Sequence, residues 1–458
     1  MDASTHGLRR ELRLRDLVPM QVTLIVWLGW TGFAAKQSSG QIVLWLLAIV
    51  FFYLPLAAVV MKLSHSIPVE GGVYQWVKAG ISPFAGYLAG WNFTIYAVTG
   101  FAVTGSLLAN GFAYAAGPTG AWMLDSKPFA LMLTAAACVV TFVFNVRGLQ
   151  LAKWWSNSGA LLTAATFAIM LFLLIGAWVH AAPLSRNSFS LAWPGASVVT
   201  LSIFAKMAIG ALAGFDGSGI FAEECRKPEN DVARSVLIAA PLIASMYILG
   251  TCAVLAYISP ARVDLAATVP QLMQAGFGAS AAGRVSALIG IAALNIAFTA
   301  SMVIFTGMVA RLPMVAGWDG LLPGWWSELH PIYKTPVKAV GAVTAAMFIL
   351  GALSLWGAGN QEAEQLSVGA GGGSLSIMYM LLFASTRRLG WAVRLAACAG
   401  FAVACVSFFF QIVPVGEVAD SKIFALKVAG TICAANGVGA YLYWRGTQRV
   451  VRLAASTG

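Results

Sequence analysis

The chain has 458 residues, 59% of them hydrophobic and 10% charged, with a mean hydropathy of +0.81. A soluble domain carries roughly 25% charged residues, so an ordinary soluble enzyme is excluded and a polytopic membrane protein is implied. The net charge of +11 does not describe a nucleic-acid surface, because Lys and Arg are scattered between apolar runs instead of gathering on one domain.

The N-terminal segment 1–16 carries Arg9, Arg10, Arg13 and Arg15 and leads into an apolar run without a small-residue cleavage site, so the run reads as a retained span. Crossing about 30 Å of hydrocarbon takes about 20 apolar residues. Such runs lie near 17–36, 41–61, 84–112, 129–146, 157–180, 198–222, 235–258, 284–310, 337–356, 365–386, 391–413 and 423–444. They are too long and too uniformly apolar for barrel strands, which predicts an all-α bundle of twelve transmembrane helices. Of the 28 basic residues, Lys36 and Lys206 fall inside spans. Lys127, Arg186, Arg262, Arg284, Lys422 and Lys427 fall in segments of one parity, and the remaining twenty in the other. This bias predicts a cytoplasmic-membrane protein with both termini in the cytoplasm. The six cysteines show no metal or disulfide spacing, no His cluster or Walker lysine motif is present, and no cofactor is expected.

Two spans contain glycine-rich interruptions, Leu28 to Lys36 in the first and Gly210 to Gly219 in the sixth. Glycines at single positions can simply allow close helix packing. Matched interruptions in the first and sixth of ten consecutive spans point instead to two five-helix halves, 17–180 and 198–386, related as inverted repeats around a midplane site. Spans 391–444 are then additional, followed by a tail at 445–458. The sixth interruption contains Asp216, which at membrane depth requires a partner or water. Lys36 and Lys206 are the candidate partners, either in a structural ion pair or in substrate or proton handling. Glu223 and Glu224 lie near the inner end of this span and, with Arg311, are candidates for a cytoplasmic gate.

Four segments carry a family resemblance: P-V-E-G-G-V-Y-Q-W at Pro68 to Trp76 followed by P-F-A-G-Y-L-A-G-W at Pro83 to Trp91; N-V-R-G-L at Asn145 to Leu149; G-F-D-G-S-G-I-F-A-E-E-C-R-K-P-E-N at Gly214 to Asn230; and R-L-P-M-V-A-G-W-D-G-L-L-P at Arg311 to Pro323 with K-T-P-V at Lys334 to Val337. In this order the chain resembles the amino acid, polyamine and organocation transporter superfamily, especially its bacterial amino acid permeases, over nearly its whole length. The resemblance implies a LeuT-type fold with substrate between broken helices 1 and 6. Free amides and carbonyls at such breaks suit the carboxylate and ammonium of an α-amino acid.

Carried onto this sequence, the resemblance places substrate contacts at Gly29, Trp30, Thr31, Gly32, Phe33 and Ala34, with the amide register starting at either Thr31 or Gly32. In the sixth span it places them at Gly210, Ala211, Ala213, Gly214, Phe215 and Asp216, with Asp where relatives have Glu. Asn92 and Tyr96, spaced i, i+4, share one face of the third span and could present polar groups to the cavity or simply pack. For coupling, the lysine some relatives carry in the fifth helix is missing from 157–163. Thr299 and Ser301 could ligate sodium, or Asp216, Lys36 or Lys206 could follow a proton gradient; exchange or facilitated diffusion needs neither. The expected activity is secondary transport of small or medium neutral amino acids in a lipid bilayer. A non-transporting sensor, an accessory subunit, or a permease for amines or polyamines are the alternatives.

Overall fold

The computed structural model describes residues 11–180, 189–221, 224–355, 360–416 and 418–457. Among them the regular elements are all helical, apart from one isolated parallel bridge between Leu12 and Cys225. Among the described residues, eleven helices are long and apolar enough to cross a membrane, as an integral multi-pass membrane protein requires.

The first expected span is divided into α1 (Leu14–Ile25) and α2 (Trp30–Ala35), each too short to cross alone. Next come α3 (Ser38–Ser66), a short α4 (Val73–Gly80), α5 (Pro83–Gly120), α6 (Lys127–Val146) and α7 (Leu149–Val179). The sixth expected span is α8 (Val198–Ala205), a π turn at Lys206–Ala211 and α9 (Asp216–Ile220). Then follow α10 (Pro228–Tyr257), α11 (Thr268–Phe277), α12 (Ala281–Trp318), α13 (Val337–Ser354), α14 (Asn360–Ala384), α15 (Trp391–Phe410) and α16 (Ser421–Thr457).

Local chemistry sets these starts. Ser82, Ser126, Ser197 and Ser280 accept hydrogen bonds from amides three residues on, and Pro83 and Pro228 occupy first-turn positions whose N–H would have no helical partner. Two short helices, α4 and α11, lie in stretches that hydropathy reads as loops. Helix α16 also continues through the stretch expected as a tail, because Arg, Gln, Val, Leu and Ala past Tyr443 sustain a helix after the strongly apolar run ends. The P-V-E-G-G segment has a backbone reason. Gly71 and Gly72 adopt φ of +92° and +39°, and a Cβ on Gly72 would sit 2.8 Å from the backbone of Gly219. Only glycine lets this loop lie against α9, where the Gly71 N–H donates to the Ile220 carbonyl at 3.2 Å.

Burial ranks the helices. In both the broken sixth span and α14, 72% of the apolar window is buried within the protein, against 22% in α16, so the interrupted helix is central and α16 peripheral. Helix α14 packs along α5, and α7 along α12.

Candidate functional site: a cavity between two interrupted helices

The first interruption is the non-helical stretch 26–29, and the sixth is 212–215. A helix break inside a membrane leaves backbone groups that need partners from within the protein. At the first break, Tyr247 of α10 donates its hydroxyl to the Ile25 carbonyl at 2.6 Å and accepts the Trp27 N–H at 3.2 Å. At the sixth, Gly214 has φ +126°, a conformation reserved for glycine, and its N–H donates to the Tyr379 hydroxyl of α14 at 3.1 Å. That hydroxyl donates in turn to Asp216 Oδ1 at 2.7 Å. Aromatic contacts fix both clamps: Tyr247 stacks on Trp45 at 4.9 Å, and Tyr379 meets Phe52 edge-on at 5.3 Å. Neither tyrosine stood out in the sequence, because a tyrosine in an apolar run looks like any core residue until its distant partner is known.

A cavity of about 80 Å³ lies between the two interrupted helices, its wall including Trp27 of the first break, Gly210 of the π turn, Trp30, Tyr96, Ser301 and Glu364. Trp30 roofs Gly210 so closely that a Cβ there would fall 2.3 Å from the indole ring. Glycine at 210 is therefore required by the size of Trp30. A larger cavity of about 580 Å³ lies away from the breaks, between α5, α12, α13 and α16, and carries no charged side chain.

The structure distributes the sequence candidates unevenly. Trp30, Tyr96, Gly210 and Ser301 face the cavity. Gly29 instead lies against the Trp27 ring, and Thr31 turns its hydroxyl back to the Leu28 carbonyl at 2.6 Å. Gly32, Phe33 and Ala34 are within α2, past the interruption, so the non-helical stretch precedes both registers considered from sequence. The Gly32 N–H is already bonded to the Gly29 carbonyl, and a Cβ on Gly32 would meet Thr268 Oγ1 at 2.0 Å. Ala211 and Ala213 are buried beside the break, and Phe215 stacks on Tyr53 at 4.6 Å, away from the cavity. Asn92 exchanges hydrogen bonds with Asn436 of α16, which takes it out of the cavity wall despite sharing a helix face with Tyr96.

The expected ion pair does not form. Lys206 donates to Ser202 Oγ at 2.8 Å and to the Val413 carbonyl at 2.9 Å, pinning the segment after α15 to the π turn. Lys36 approaches the Ala261 carbonyl at 3.4 Å. Asp216 is fully buried, has no ion-pair partner among the described residues, and its Oδ2 has no hydrogen-bond partner there. Of the sodium candidates, Thr299 bonds back to its own helix at the Ile296 carbonyl. Ser301 donates across to the Thr23 carbonyl of α1 at 2.6 Å, so one of the two joins α12 to the first interrupted helix.

The face on which the described chain begins is tightly closed. Arg311 pairs with Glu224 and with Glu70 at 3.2 Å and lies 4.4 Å from the centre of the Phe221 ring. Glu223 lies outside the described residues. Around this buried cluster the Glu11 and Leu12 N–H groups donate to the Glu224 carbonyl, and the Arg226 N–H donates to the Leu12 carbonyl. Lys78 and Tyr74 both reach Asp319. Burial, followed by the carboxylates of Glu70, Glu224, Asp231 and Asp16, pushes the Cys225 thiol well above its ordinary range.

Two interrupted helices beside a central cavity, within a bundle of membrane-length helices, fit a membrane transporter. The profile of the amino acid permease family matches residues 14–433, and the chain belongs to that family, within the amino acid, polyamine and organocation superfamily. Among its relatives is an uncharacterized transporter of Legionella pneumophila, 23% identical over 351 residues, covering 75% of this chain and 74% of the relative. The methylthioribose transporter of Bacillus subtilis is 25% identical over 354 residues, 73% of each chain. The branched-chain amino acid permease BcaP of the same organism is 24% identical over 372 residues, 77% of each. Relatives at equal distance thus carry names for chemically different cargoes, so the cargo has to be argued from the site.

Proposed function

We propose that this protein is a secondary transporter that moves compact amino acids across the cytoplasmic membrane by alternating access. The observation that carries the reading is the cavity bounded by both interrupted helices, each interruption held by a tyrosine from the second half of the chain. Counting the broken first helix, the reading assigns twelve spans, ten of them in two inverted five-helix halves, with both termini in the cytoplasm. The helix ends at 26–29 and 212–215 would hold the carboxylate and ammonium common to all α-amino acids, and the breaks alone suffice for a neutral zwitterion. The aromatic wall and the volume of about 80 Å³, far below the roughly 300–1,000 Å³ of sites for drug-sized ligands, favour a small or medium side chain. Closure at Arg311 would seal the cytoplasmic side while the opposite side admits substrate. Coupling is assigned to a proton or sodium gradient, with Asp216 and Ser301 the residues to test. A permease for amines or cationic amino acids is a second reading, favoured by the carboxyl of Glu364 in the cavity wall.

The test is uptake of a labelled amino-acid panel into proteoliposomes, with sodium and proton gradients imposed separately. Saturable uptake inhibited by unlabelled substrate is expected. Binding without flux under every gradient, or with counter-substrate inside, would make the protein a sensor instead.

A further inference from the structure

The cavity holds two buried acceptor oxygens that nothing among the described residues satisfies. Glu364 is 2% exposed and Gln411 is fully buried, both line the cavity, and neither Glu364 Oε2 nor Gln411 Oε1 has a hydrogen-bond partner among the described residues. The Gln411 amide is oriented by its NH₂, which reaches the Ala205 carbonyl at 3.5 Å, so its oxygen is the end left over. No lysine or arginine lines the cavity among the described residues. Lys206, the nearby buried cation on the sixth helix, is committed to Ser202 and Val413. A buried carboxylate without a donor is costly to leave so. An ammonium group, with one positive charge and three N–H donors and no acceptor, is the complement of this pair.

Resting on the reading of this cavity as the substrate site, we infer that Glu364, assisted by Gln411, is a specificity determinant that binds an ammonium group on the ligand beyond what the helix breaks recognise. The preferred cargo is then a compact cationic ligand: an amino acid whose short side chain ends in an ammonium, or a small amine. An inorganic cation could draw on the same oxygens and is the competing occupant.

The two are separated by proteoliposome uptake of 2,4-diaminobutyrate and of norvaline, its apolar isostere, by the full-length wild type and Glu364→Gln, with and without sodium. The expected result is that wild type favours diaminobutyrate at least tenfold, and that Glu364→Gln lowers this ratio by about tenfold to a hundredfold while norvaline still enters, the loss expected when one partner of a buried charge pair is removed. Glu364→Asp should recover part of the ratio. Gln411→Met should lower it in the same direction by less, and decides the matter should Glu364→Gln fail to fold. A wild type that favours norvaline overturns the inference while leaving the transporter reading intact, as does an unchanged ratio in Glu364→Gln, or in Gln411→Met where that variant decides. Loss of sodium dependence with selectivity unaltered overturns it in favour of a cation site. Absence of any amino-acid or amine uptake by folded wild type overturns the transporter reading itself.

Discussion

The two helix interruptions solve one problem with different materials. At the first, Tyr247 links two main-chain groups, the Ile25 carbonyl and the Trp27 N–H, so the clamp does not depend on which side chains occupy the break. At the sixth, Tyr379 links a main-chain amide to the Asp216 carboxylate, so that clamp depends on one acid and on a glycine that tolerates φ of +126°. The first break can therefore vary in sequence, whereas the sixth is bound to its motif. Asp216 also acquires a structural duty that does not involve a cation.

The sharpest way to break this comparison is to remove each hydroxyl. Tyr379→Phe strands a buried carboxylate and should cost about 3 kcal/mol, whereas Tyr247→Phe strands neutral backbone groups and should cost about 1–2 kcal/mol. Thermal denaturation of both variants in detergent ranks them, and equal losses would refute the asymmetry. Gly32→Val should cost about 2 kcal/mol by overpacking α2 against Thr268, with a matching fall in uptake. Adding Thr268→Ala should restore much of both, which backbone strain at Gly32 would not permit. Asp216→Asn keeps an acceptor for Tyr379 and should cost only about 1 kcal/mol. If it folds yet loses uptake while Asp216→Glu retains it, the charge serves transport as well as the clamp; wild-type flux in Asp216→Asn would confine the residue to structure. The smallest effect is a labelling rate. Cys225, buried and with its thiol pushed up, should react slowly with maleimide and faster under conditions that open its face.

Much of the fold was legible because membrane spans need only length and apolarity, and the glycine runs located both interruptions to within a few residues. The register at the first break is hard to read because G-W-T-G-F-A looks loose as a string, whereas its helix begins at Trp30. Asn92 shows the limit of periodicity: i, i+4 spacing puts it on the face of Tyr96 but does not say that Asn436 covers its end of that face. The Asp216–Lys206 pair failed because a lysine can be satisfied by a carbonyl and a hydroxyl as well as by an acid. Glu364 sits at the edge of a span, where apolarity does not single it out, although Q-E-A-E-Q holds a clue. Two acids spaced i, i+2 point to different sides of a helix, and with Glu362 turned outward to Lys427 at 3.1 Å, its neighbour has to turn in.

The strap formed by residues 11 and 12 against 224–226 has a thermodynamic consequence. Its three hydrogen bonds, two into the Glu224 carbonyl and one from the Arg226 N–H, are all main chain to main chain. At about 1 kcal/mol apiece they weight the closed arrangement by roughly a hundredfold. Because the weight resides in the backbone, changing the side chains at 11 and 12 leaves it nearly intact, whereas shortening the chain past residue 12 removes it all. On the proposed alternating-access reading, the ratio of closed to open molecules would then be set in part by chain length at residues 11 and 12.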